Sequence, residues 1–370
     1  MSGKAQVGAT YKKIPIEIKA IKTGAIIVGA GILGDLRDIF SFNEYSSLVL
    51  VTDTITGKLY GPKVNESLKE TGRKVLILTV PVGERSKSLK EADHGYKVLL
   101  DNNVDRKALL CVLGGGVVGD LGGYIASTYL RGIDYVQLPT TLLAQVDSSI
   151  GGKVGVNFGG KKNMVGSFYQ PRVIISDVTL LQSLPATEMK NGITEVIKYG
   201  LAMDERLFHN LAERGKWDFA TPQLIDIVER CARLKAKVVE EDETERSGWR
   251  AILNFGHTIG HAIEAVADLQ GQHHGEAVAI GMMAEARISE RIGMLDKKNL
   301  QKIEEILTQF NLPTYCQKMS PDALLEATRF DKKTTHEQTK WVLLKGIGQG
   351  VINCTVEDDV VKEVLKEVCR

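Results

Sequence analysis

Short apolar runs alternate with helical patterns in the first half of the chain. The runs are four to six residues long, rich in β-branched residues and mostly followed by Gly, Asp or Pro. Buried parallel strands have this pattern, and the segments between the runs are long enough for crossover helices. The sequence therefore predicts strands at Ala25–Val28, Ser47–Thr52, Lys74–Thr79, Ala108–Leu113 and Tyr135–Leu138.

Amphipathic helical patterns dominate from about Ser183 onward, with breaks at Pro185 and Pro313. A chain of 370 residues exceeds what one hydrophobic core usually supports. We therefore predict a Rossmann-like α/β nucleotide-binding domain over residues 1–180 and a mostly α-helical domain over residues 181–370. Predicted elements of the second domain are helices at Gln223–Glu243, His257–Ala267, Gly275–Ile292 and Leu300–Phe310, and late strands at Lys340–Leu344 and Gly350–Thr355.

The charges nearly cancel, since 47 basic residues face 46 acidic ones. This balance gives no electrostatic footprint for nucleic acid or an anionic membrane. No apolar run reaches the roughly 18 residues of a membrane-spanning helix, and the polar N-terminus does not resemble a signal peptide. The five cysteines are scattered without a CxxC spacing and indicate reduced thiols. We expect a soluble, cytoplasmic protein without nucleic-acid or membrane partners.

Two segments have the glycine spacing G-x-G-x-x-G, each after a predicted strand and before a helix. Gly29–Gly34 lacks polar neighbours, and we interpret it as a tight strand-to-helix turn. Gly114–Gly119 contains three consecutive glycines and is followed by Asp120. Its backbone amides can approach a pyrophosphate closely, so we favour this segment as the phosphate loop.

A carboxylate that binds a ribose 2′-hydroxyl is expected about 20 residues after such glycines. Asp134 in that region fits poorly, whereas Asp53 ends an earlier predicted strand. Asp53 in this role would favour NAD over NADP and would place the acid before the glycine loop. A polar loop over Pro81–Ser88 follows another predicted strand, where cofactor contacts commonly lie.

Four of the 7 histidines fall between Arg250 and Glu276. His257 and His261 are four residues apart and share one helix face, which favours a divalent metal site with an oxygen or sulfur ligand from elsewhere. Glu195 can supply that oxygen. Lys198 beside a metal would have a lowered pKa and a proton-transfer role. The alternatives are a surface ion pair at Glu195 and Lys198 and a polar helix with incidental histidines.

The central and C-terminal parts hold more cations than a neutral substrate needs. They indicate a small anion with a phosphate and a carboxylate. For Lys333, a solvated loop is an equal alternative. The cations are Arg131, Lys153, Lys162, Lys235, Arg250 and Lys333.

Several long motifs occur in the same order as in the 3-dehydroquinate synthase family, and the chain resembles that family over nearly its whole length. The resemblance implies an N-terminal α/β NAD-binding domain, a C-terminal helical metal- and substrate-binding domain, a homodimer, and NAD with zinc or cobalt as cofactors. The implied enzyme is a carbon–oxygen lyase of the shikimate pathway. It converts 3-deoxy-D-arabino-heptulosonate 7-phosphate into 3-dehydroquinate and phosphate by transient oxidation with NAD, β-elimination, reduction and aldol closure. The densest motifs are Pro81–Lys87, Gly114–Asp120, Leu138–Lys153, Lys162–Gln170, Asn191–Lys198 and Arg250–Glu276.

The resemblance also implies site residues. Glu195, His257 and His274 would be the metal ligands, which leaves His261 to contact the substrate phosphate. The implied catalytic residues are Asp147, Lys153, Lys198, Asn254 and His261. The implied substrate contacts are Lys162, Asn163, Lys235, Arg250 and Lys333, with Arg131 reaching across the dimer. The implied NAD contacts are Asp53, Glu84, Lys87, Gly115, Gly116, Val117, Asp120, Thr140 and Thr141.

Three departures from the family pattern bear on these assignments. Thr194 precedes Glu195 where the family usually has Ala. Lys153-Val-Gly-Val-Asn replaces the usual Lys-Thr-Ala run. The spacing from Lys235 to Arg250 is one residue longer than usual, so either Lys235 or Lys237 is the substrate lysine.

Other functions are weighed against the same residues. Sister sugar-phosphate cyclases, which make valiolone or deoxy-inosose skeletons, act on substrates without the carboxylate and have no use for the Lys235 and Arg250 pair. A metal-dependent polyol dehydrogenase would produce net NADH and would not need the cation cluster. A non-catalytic relative is disfavoured because every proposed metal ligand is present.

Overall fold

The structure is a computed structural model that describes residues 24–214, 221–267, 273–317, 319–329 and 339–369. Lys333, an implied substrate contact, lies outside these ranges. Within the described ranges, each helix is too short or too polar to cross a membrane. The five cysteines are free, and the Sγ atoms of Cys316 and Cys369 lie 3.3 Å apart.

A six-stranded parallel sheet organises the first part of the chain, in the order β1-β8-β5-β4-β2-β3. The chain moves outward from β2 to β3 and then returns to place β4 on the other side of β2. Ligands of open α/β sheets bind at the carboxyl ends of the strands beside such a reversal. The strands are β1 (Ala25–Gly29), β2 (Ser47–Asp53), β3 (Lys74–Val80), β4 (Leu109–Gly114), β5 (Asp134–Pro139), β6 (Lys153–Phe158), β7 (Lys161–Phe168), β8 (Val173–Asp177), β9 (Trp341–Gly346) and β10 (Gln349–Cys354).

The central strands of this sheet are buried on both faces. Val49 and Val51 of β2 pack in one hydrophobic layer, and Leu48 and Leu50 pack in the opposite layer. Helices cover both faces, so these strands have continuous apolar runs rather than alternating ones. The five predicted strands of the first part are confirmed with small shifts at their ends.

The sequence analysis missed three strands. β6 and β7 form an antiparallel hairpin whose second strand is exposed along nearly its whole length, so it has no apolar run. β8 is fully buried between β1 and β5. The hairpin packs closely on the helix that follows β4. A Cβ atom on Gly123 of that helix would lie only 2.3 Å from Val154 Cγ1 of β6.

Helices form most of the second part, as the fold-class prediction stated. The four predicted helices correspond to α7, α8, α9 and α10, and the two late strands pair as β9 and β10. The predicted division near residue 180 stays a prediction. The helices are α1 (Leu36–Ile39), α2 (Thr56–Lys69), α3 (Leu89–Asp101), α4 (Gly116–Thr128), α5 (Ala186–Ala202), α6 (Glu205–Arg214), α7 (Thr221–Glu241), α8 (His257–Val266), α9 (His274–Arg291), α10 (Lys297–Gln309), α11 (Pro321–Thr328) and α12 (Asp358–Val368).

Candidate active site

A polar cavity of about 600 Å³ lies beside the carboxyl ends of the sheet strands and is closed on the other side by the helical part. Residues from α4, the β6–β7 hairpin, α5 and α7 meet in its wall. The structure therefore brings together side chains that are more than 100 residues apart in sequence. Those of the implied site residues that line the cavity are Asp120, Asp147, Lys153, Asn163, Lys198, Lys235, Arg250, Asn254 and His257.

Three ligand-type side chains converge at one end of this cavity. Glu195 of α5, His257 of α8 and His274 of α9 each offer one ligand atom, and these atoms lie within 4.8 Å of one another. Glu195 is buried, and its Oε1 atom has no hydrogen-bond partner in the described part of the chain. A buried carboxylate oxygen without a donor is costly unless a cation takes that place. The three residues therefore fit a divalent metal ion.

The hydrogen bonds of the two histidines favour the same orientation for both. His257 Nδ1 lies 3.2 Å from the Phe255 carbonyl oxygen, and His274 Nδ1 lies 3.4 Å from Glu264 Oε1. A ring N–H at Nδ1 can donate to each of these oxygens, which leaves Nε2 for a metal. Burial, and next the Lys198 ammonium, hold the pKa of His257 well below its usual range.

His261 does not belong to this cluster. Its exposed ring lies 5.4 Å from the ring of His257, between centroids, and the third ligand position is taken by His274. Shared helix-face spacing alone thus selected the wrong histidine pair, whereas the family resemblance selected the set that the structure brings together.

Lys198 lies in a fully buried charge network. Its ammonium contacts Glu195 Oε2. Burial disfavours the charged ammonium, but the carboxylates of Glu195 and Asp147 outweigh this effect and raise the pKa of Lys198. The prediction of a lowered pKa for Lys198 concerns the site with a metal bound and stays a prediction.

Asp147 connects this network to the opposite wall. It lies on a single π-helical turn, Ala144–Ser148, and its Oδ1 atom accepts from Tyr199 Oη at 2.7 Å and lies 2.8 Å from Lys235 Nζ. Burial alone would raise the pKa of Asp147, but Lys235 and then Lys198 hold it well below its usual range. Lys237 is exposed, whereas Lys235 is buried and lines the cavity.

Arg250 lines the cavity and is held by the chain, with its Nη1 atom donating to the Glu243 carbonyl oxygen at 2.8 Å. Gly151 lies against this side chain, with its Cβ position 2.4 Å from Arg250 Nη2, and its φ of 108° favours glycine. The sequence analysis missed Glu245, whose carboxylate contacts Lys153 and lies 3.5 Å from Arg250 Nε. Glu245 lies in the loop between α7 and Arg250 and has a positive φ of 59°.

The helix that follows the second glycine loop reaches the same cavity, because its residue Asp120 lines the wall. Helix α4 begins at Gly116. Its N-cap is a glycine, Gly115, so no N-cap side chain covers the first N–H groups of the helix. Beside it, the ammonium of Lys87 contacts the carboxylate of Asp120 and the side-chain oxygen of Asn163. Burial raises the pKa of Asp120, and Lys87 partly offsets that shift.

Two other implied NAD contacts have hydrogen-bond partners within the chain, and a third does not. Asp53 accepts from the backbone N–H groups of Ile55 at 2.7 Å and Thr56 at 2.9 Å, and so supports the start of α2. Glu84 accepts from Asn157 Nδ2 at 2.8 Å. The Oγ1 atom of Thr140 is buried without a hydrogen-bond partner among the described residues.

The first glycine loop is filled by the chain itself. Asp177 at the end of β8 is fully buried, and its carboxylate accepts from the N–H groups of Gly31 at 2.8 Å and Leu33 at 3.2 Å. The carboxylate lies where a phosphate would have to bind. The interpretation of this loop as a structural turn is confirmed.

Three implied substrate contacts lie away from the cavity wall. Arg131, Lys162 and His261 are exposed and are not among the lining residues. Arg131 has a left-handed backbone conformation, with φ at 67°. Thr194, which departs from the family pattern, donates its hydroxyl hydrogen to the Lys190 carbonyl oxygen at 2.9 Å within α5. This departure does not remove the neighbouring Glu195 from the cluster.

The comparison with known protein families agrees with this geometry. Residues 77–191 match the family described as 3-dehydroquinate synthase N-terminal, and residues 192–334 match that described as 3-dehydroquinate synthase C-terminal. The chain belongs to the 3-dehydroquinate synthase family. It is 43% identical over 323 residues to the 3-dehydroquinate synthase of Desulforamulus reducens, covering 86% of this chain and 90% of the relative. It is 41% identical over 345 residues to that of Clostridium botulinum, covering 93% and 98%.

Solved structures share the fold. A 2-deoxy-scyllo-inosose synthase complexed with carbaglucose-6-phosphate, NAD⁺ and Co²⁺ has a TM-score of 0.83 at 26% identity, covering 93% of this chain and 96% of the other. A 2-epi-5-epi-valiolone synthase from Streptomyces hygroscopicus, with NAD⁺ and Zn²⁺ bound, has a TM-score of 0.84 at 24% identity, covering 96% and 99%. A glycerol dehydrogenase from Schizosaccharomyces pombe has a TM-score of 0.58 at 14% identity, covering 95% and 92%. The predicted fold class and enzyme family are confirmed.

Proposed function

We propose that this chain converts 3-deoxy-D-arabino-heptulosonate 7-phosphate into 3-dehydroquinate and phosphate. The observation that carries the proposal is the meeting of a metal-type cluster and buried cations at one cavity, which is also lined by Asp120 after the second glycine loop. A substrate with a phosphate and a carboxylate needs such cations at fixed positions. A polyol dehydrogenase would have no use for them.

Two cofactors fit the residues present. Glu195, His257 and His274 would hold zinc or cobalt, and the second glycine loop with Lys87, Asp120 and the other implied contacts would hold NAD. When bound, the metal supplies Lewis-acid polarisation of a substrate oxygen, and NAD accepts and later returns a hydride without net redox change.

The chain's own residues then position the substrate and move protons. Arg250 and Lys235 would bind the substrate carboxylate, with Lys153 nearby. Lys198, which is buried and contacts the proposed metal ligand Glu195, would hydrogen-bond the reacting hydroxyl group and take part in proton transfer there.

The substrate phosphate would be bound at the rim of the cavity. Lys162 and His261 are exposed outside the cavity lining, and the ring of His261 lies 6.4 Å from the ring of the metal-type ligand His274, between centroids. Asn254 and Asn163 line the cavity and can hydrogen-bond substrate hydroxyl groups. Asp147 keeps Lys235 and Tyr199 in place.

The proposed enzyme is a cytoplasmic homodimer. Arg131 is exposed and lies outside the wall of its own cavity. This location is consistent with a contact to the phosphate bound in the partner subunit.

The assay that tests this function compares two substrates with and without prior metal chelation. The expected result is chelator-sensitive phosphate release from 3-deoxy-D-arabino-heptulosonate 7-phosphate, restored by zinc or cobalt, with 3-dehydroquinate as the product. Sedoheptulose 7-phosphate, which lacks the carboxylate, should not be turned over. Turnover of sedoheptulose 7-phosphate alone would instead indicate a sister cyclase.

A further inference from the structure

Helix α9 contains a fully buried carboxylate that the proposed reaction does not use. Glu285 is 0% exposed, and its Oε2 atom accepts from the Gly256 N–H at 2.6 Å. Its Oε1 atom accepts from the Ile259 N–H at 3.4 Å. Burial raises the pKa of Glu285 to about 8, and these N–H groups oppose that shift. Its hydrogen bonds therefore connect α9 to the backbone of another helix.

The N–H groups that Glu285 binds belong to the start of α8. Gly256 is the N-cap of this helix, with a left-handed φ of 80°, and as a glycine it has no side chain that could cap the helix. The first N–H groups of a helix have no partner within the helix, and a carboxyl group placed there satisfies them and interacts well with the helix dipole. Glu285, a side chain of α9, thus caps the start of α8, the helix whose first residue is His257.

The same two helices carry both metal-type histidines, since α9 begins at His274. Their backbones are in contact near Glu285: a Cβ atom on Gly281 would lie 1.9 Å from the Gly256 carbonyl oxygen. A Cβ atom on Gly260 would lie 3.1 Å from Val278 Cα. Across this close contact, the hydrogen bonds from the Gly256 and Ile259 N–H groups to Glu285 join the first turn of α8 to α9.

We propose that Glu285 is a positioning residue for the metal centre. It holds the first turn of α8 at one position along α9 and so keeps His257 Nε2 at binding distance from the ligands on α5 and α9. The inference rests on the proposed metal centre at Glu195, His257 and His274. Glu285 itself does not contact the metal or the substrate.

The test is cobalt binding by the full-length chain after chelation and metal removal. Dissociation constants and the visible cobalt absorption spectrum would be measured for the wild type and for Glu285→Leu, Glu285→Asp and Glu285→Gln. Glu290→Gln, on the same helix, is the control. These readouts report the ligand geometry directly and do not depend on turnover.

Loss of the cap should weaken cobalt binding by about 10- to 100-fold in Glu285→Leu, as for other residues that orient metal ligands, and should alter the spectrum. Glu285→Asp should fall between Leu and wild type because its shorter side chain reaches the Gly256 N–H less well. Glu285→Gln retains a carbonyl oxygen for that bond and should stay within about threefold of wild type, as should the control.

Two results would overturn the inference. One is wild-type affinity and spectrum in Glu285→Leu or, if that variant does not fold, in Glu285→Asp. The other is a Glu285 variant that loses thermal stability but keeps the cobalt absorption spectrum of the wild type. A wild-type chain that binds no cobalt would overturn the proposed metal centre and this inference together.

Discussion

The two glycine loops of this chain have the same spacing but opposite local chemistry. At the first loop, the buried carboxylate of Asp177 accepts from the N–H groups of Gly31 and Leu33. At the second loop, the N-cap is a glycine, Gly115, so no N-cap side chain covers the first N–H groups of α4, and Asp120 after the loop lines the cavity. A glycine pattern therefore indicates only that a backbone can approach an anion. Such a loop can bind the phosphate of a cofactor only where no carboxylate of the chain already occupies that position.

The same contrast separates buried carboxylates. Asp177 and Glu285 accept hydrogen bonds from backbone amides, whereas Oε1 of Glu195 has no hydrogen-bond partner in the described ranges. Because unsatisfied buried polar atoms are costly, an unpartnered oxygen indicates a site for something the chain does not contain. The predictions below test this distinction between completed and open sites.

The largest effect is expected at the open carboxylate. Glu195→Gln removes the charge that a metal requires, so phosphate release should fall by more than about 1000-fold and metal content should drop. Activity assays and elemental analysis measure both quantities. The exposed control Glu213→Gln should match the wild type. Retained metal and activity in Glu195→Gln would show that the cluster is not the metal centre.

The next effect concerns stability rather than activity. Asp177→Ala leaves the buried N–H groups of Gly31 and Leu33 without an acceptor and should lower the free energy of unfolding by about 3 kcal/mol. Denaturant unfolding measures this loss, and the exposed control Asp38→Ala should change it by less than about 0.5 kcal/mol. The folded fraction of Asp177→Ala should bind NAD normally. Weakened NAD binding with unchanged stability would reverse the roles of the two loops.

The complementary variant belongs to the second loop. Gly116→Ala places a Cβ atom 3.0 Å from Ser148 Oγ and leaves less room for a phosphate group at the start of α4. We expect NAD affinity to fall by at least about tenfold, or about 1.4 kcal/mol, while the unfolding free energy changes by less. Isothermal titration measures the affinity, and Gly346→Ala in β9 serves as the control. Unchanged NAD affinity would contradict the assignment of the phosphate loop.

The smallest effect should be found at Lys237. Because its side chain is exposed, Lys237→Met should leave KM for the substrate within about twofold of the wild type. Lys235→Met is the matched contrast, since it removes a buried cation of the cavity and should raise KM clearly. Steady-state kinetics of the pair distinguishes the two lysines, and the opposite ranking would assign the substrate contact to Lys237.

Much of the fold was predictable because its strands and helices have strong local patterns. The buried strand β2 and the amphipathic helix α7 were found with ends close to those observed. The exposed strand β7 was missed because its residues lack periodic apolar positions, and its pairing depends on β6 and α4.

Site residues were predictable where a motif carried them and not where a distant contact defines them. The motif resemblance selected His274 as the third ligand, whereas helix periodicity alone favoured His261. Asp177 and Glu285 were missed because their partners are backbone amides far away in sequence. Such amides have no residue-type signal, and only the packed structure brings them to the carboxylates.

The central claim is that this chain uses NAD catalytically in an open metal site to make 3-dehydroquinate. The most direct measurement is the number of 3-dehydroquinate and phosphate molecules formed per NAD, with substrate in large excess and NADH followed in the same sample. The account predicts many turnovers per NAD, one phosphate per 3-dehydroquinate and no net NADH. One NADH per product, or phosphate release without 3-dehydroquinate, would contradict it.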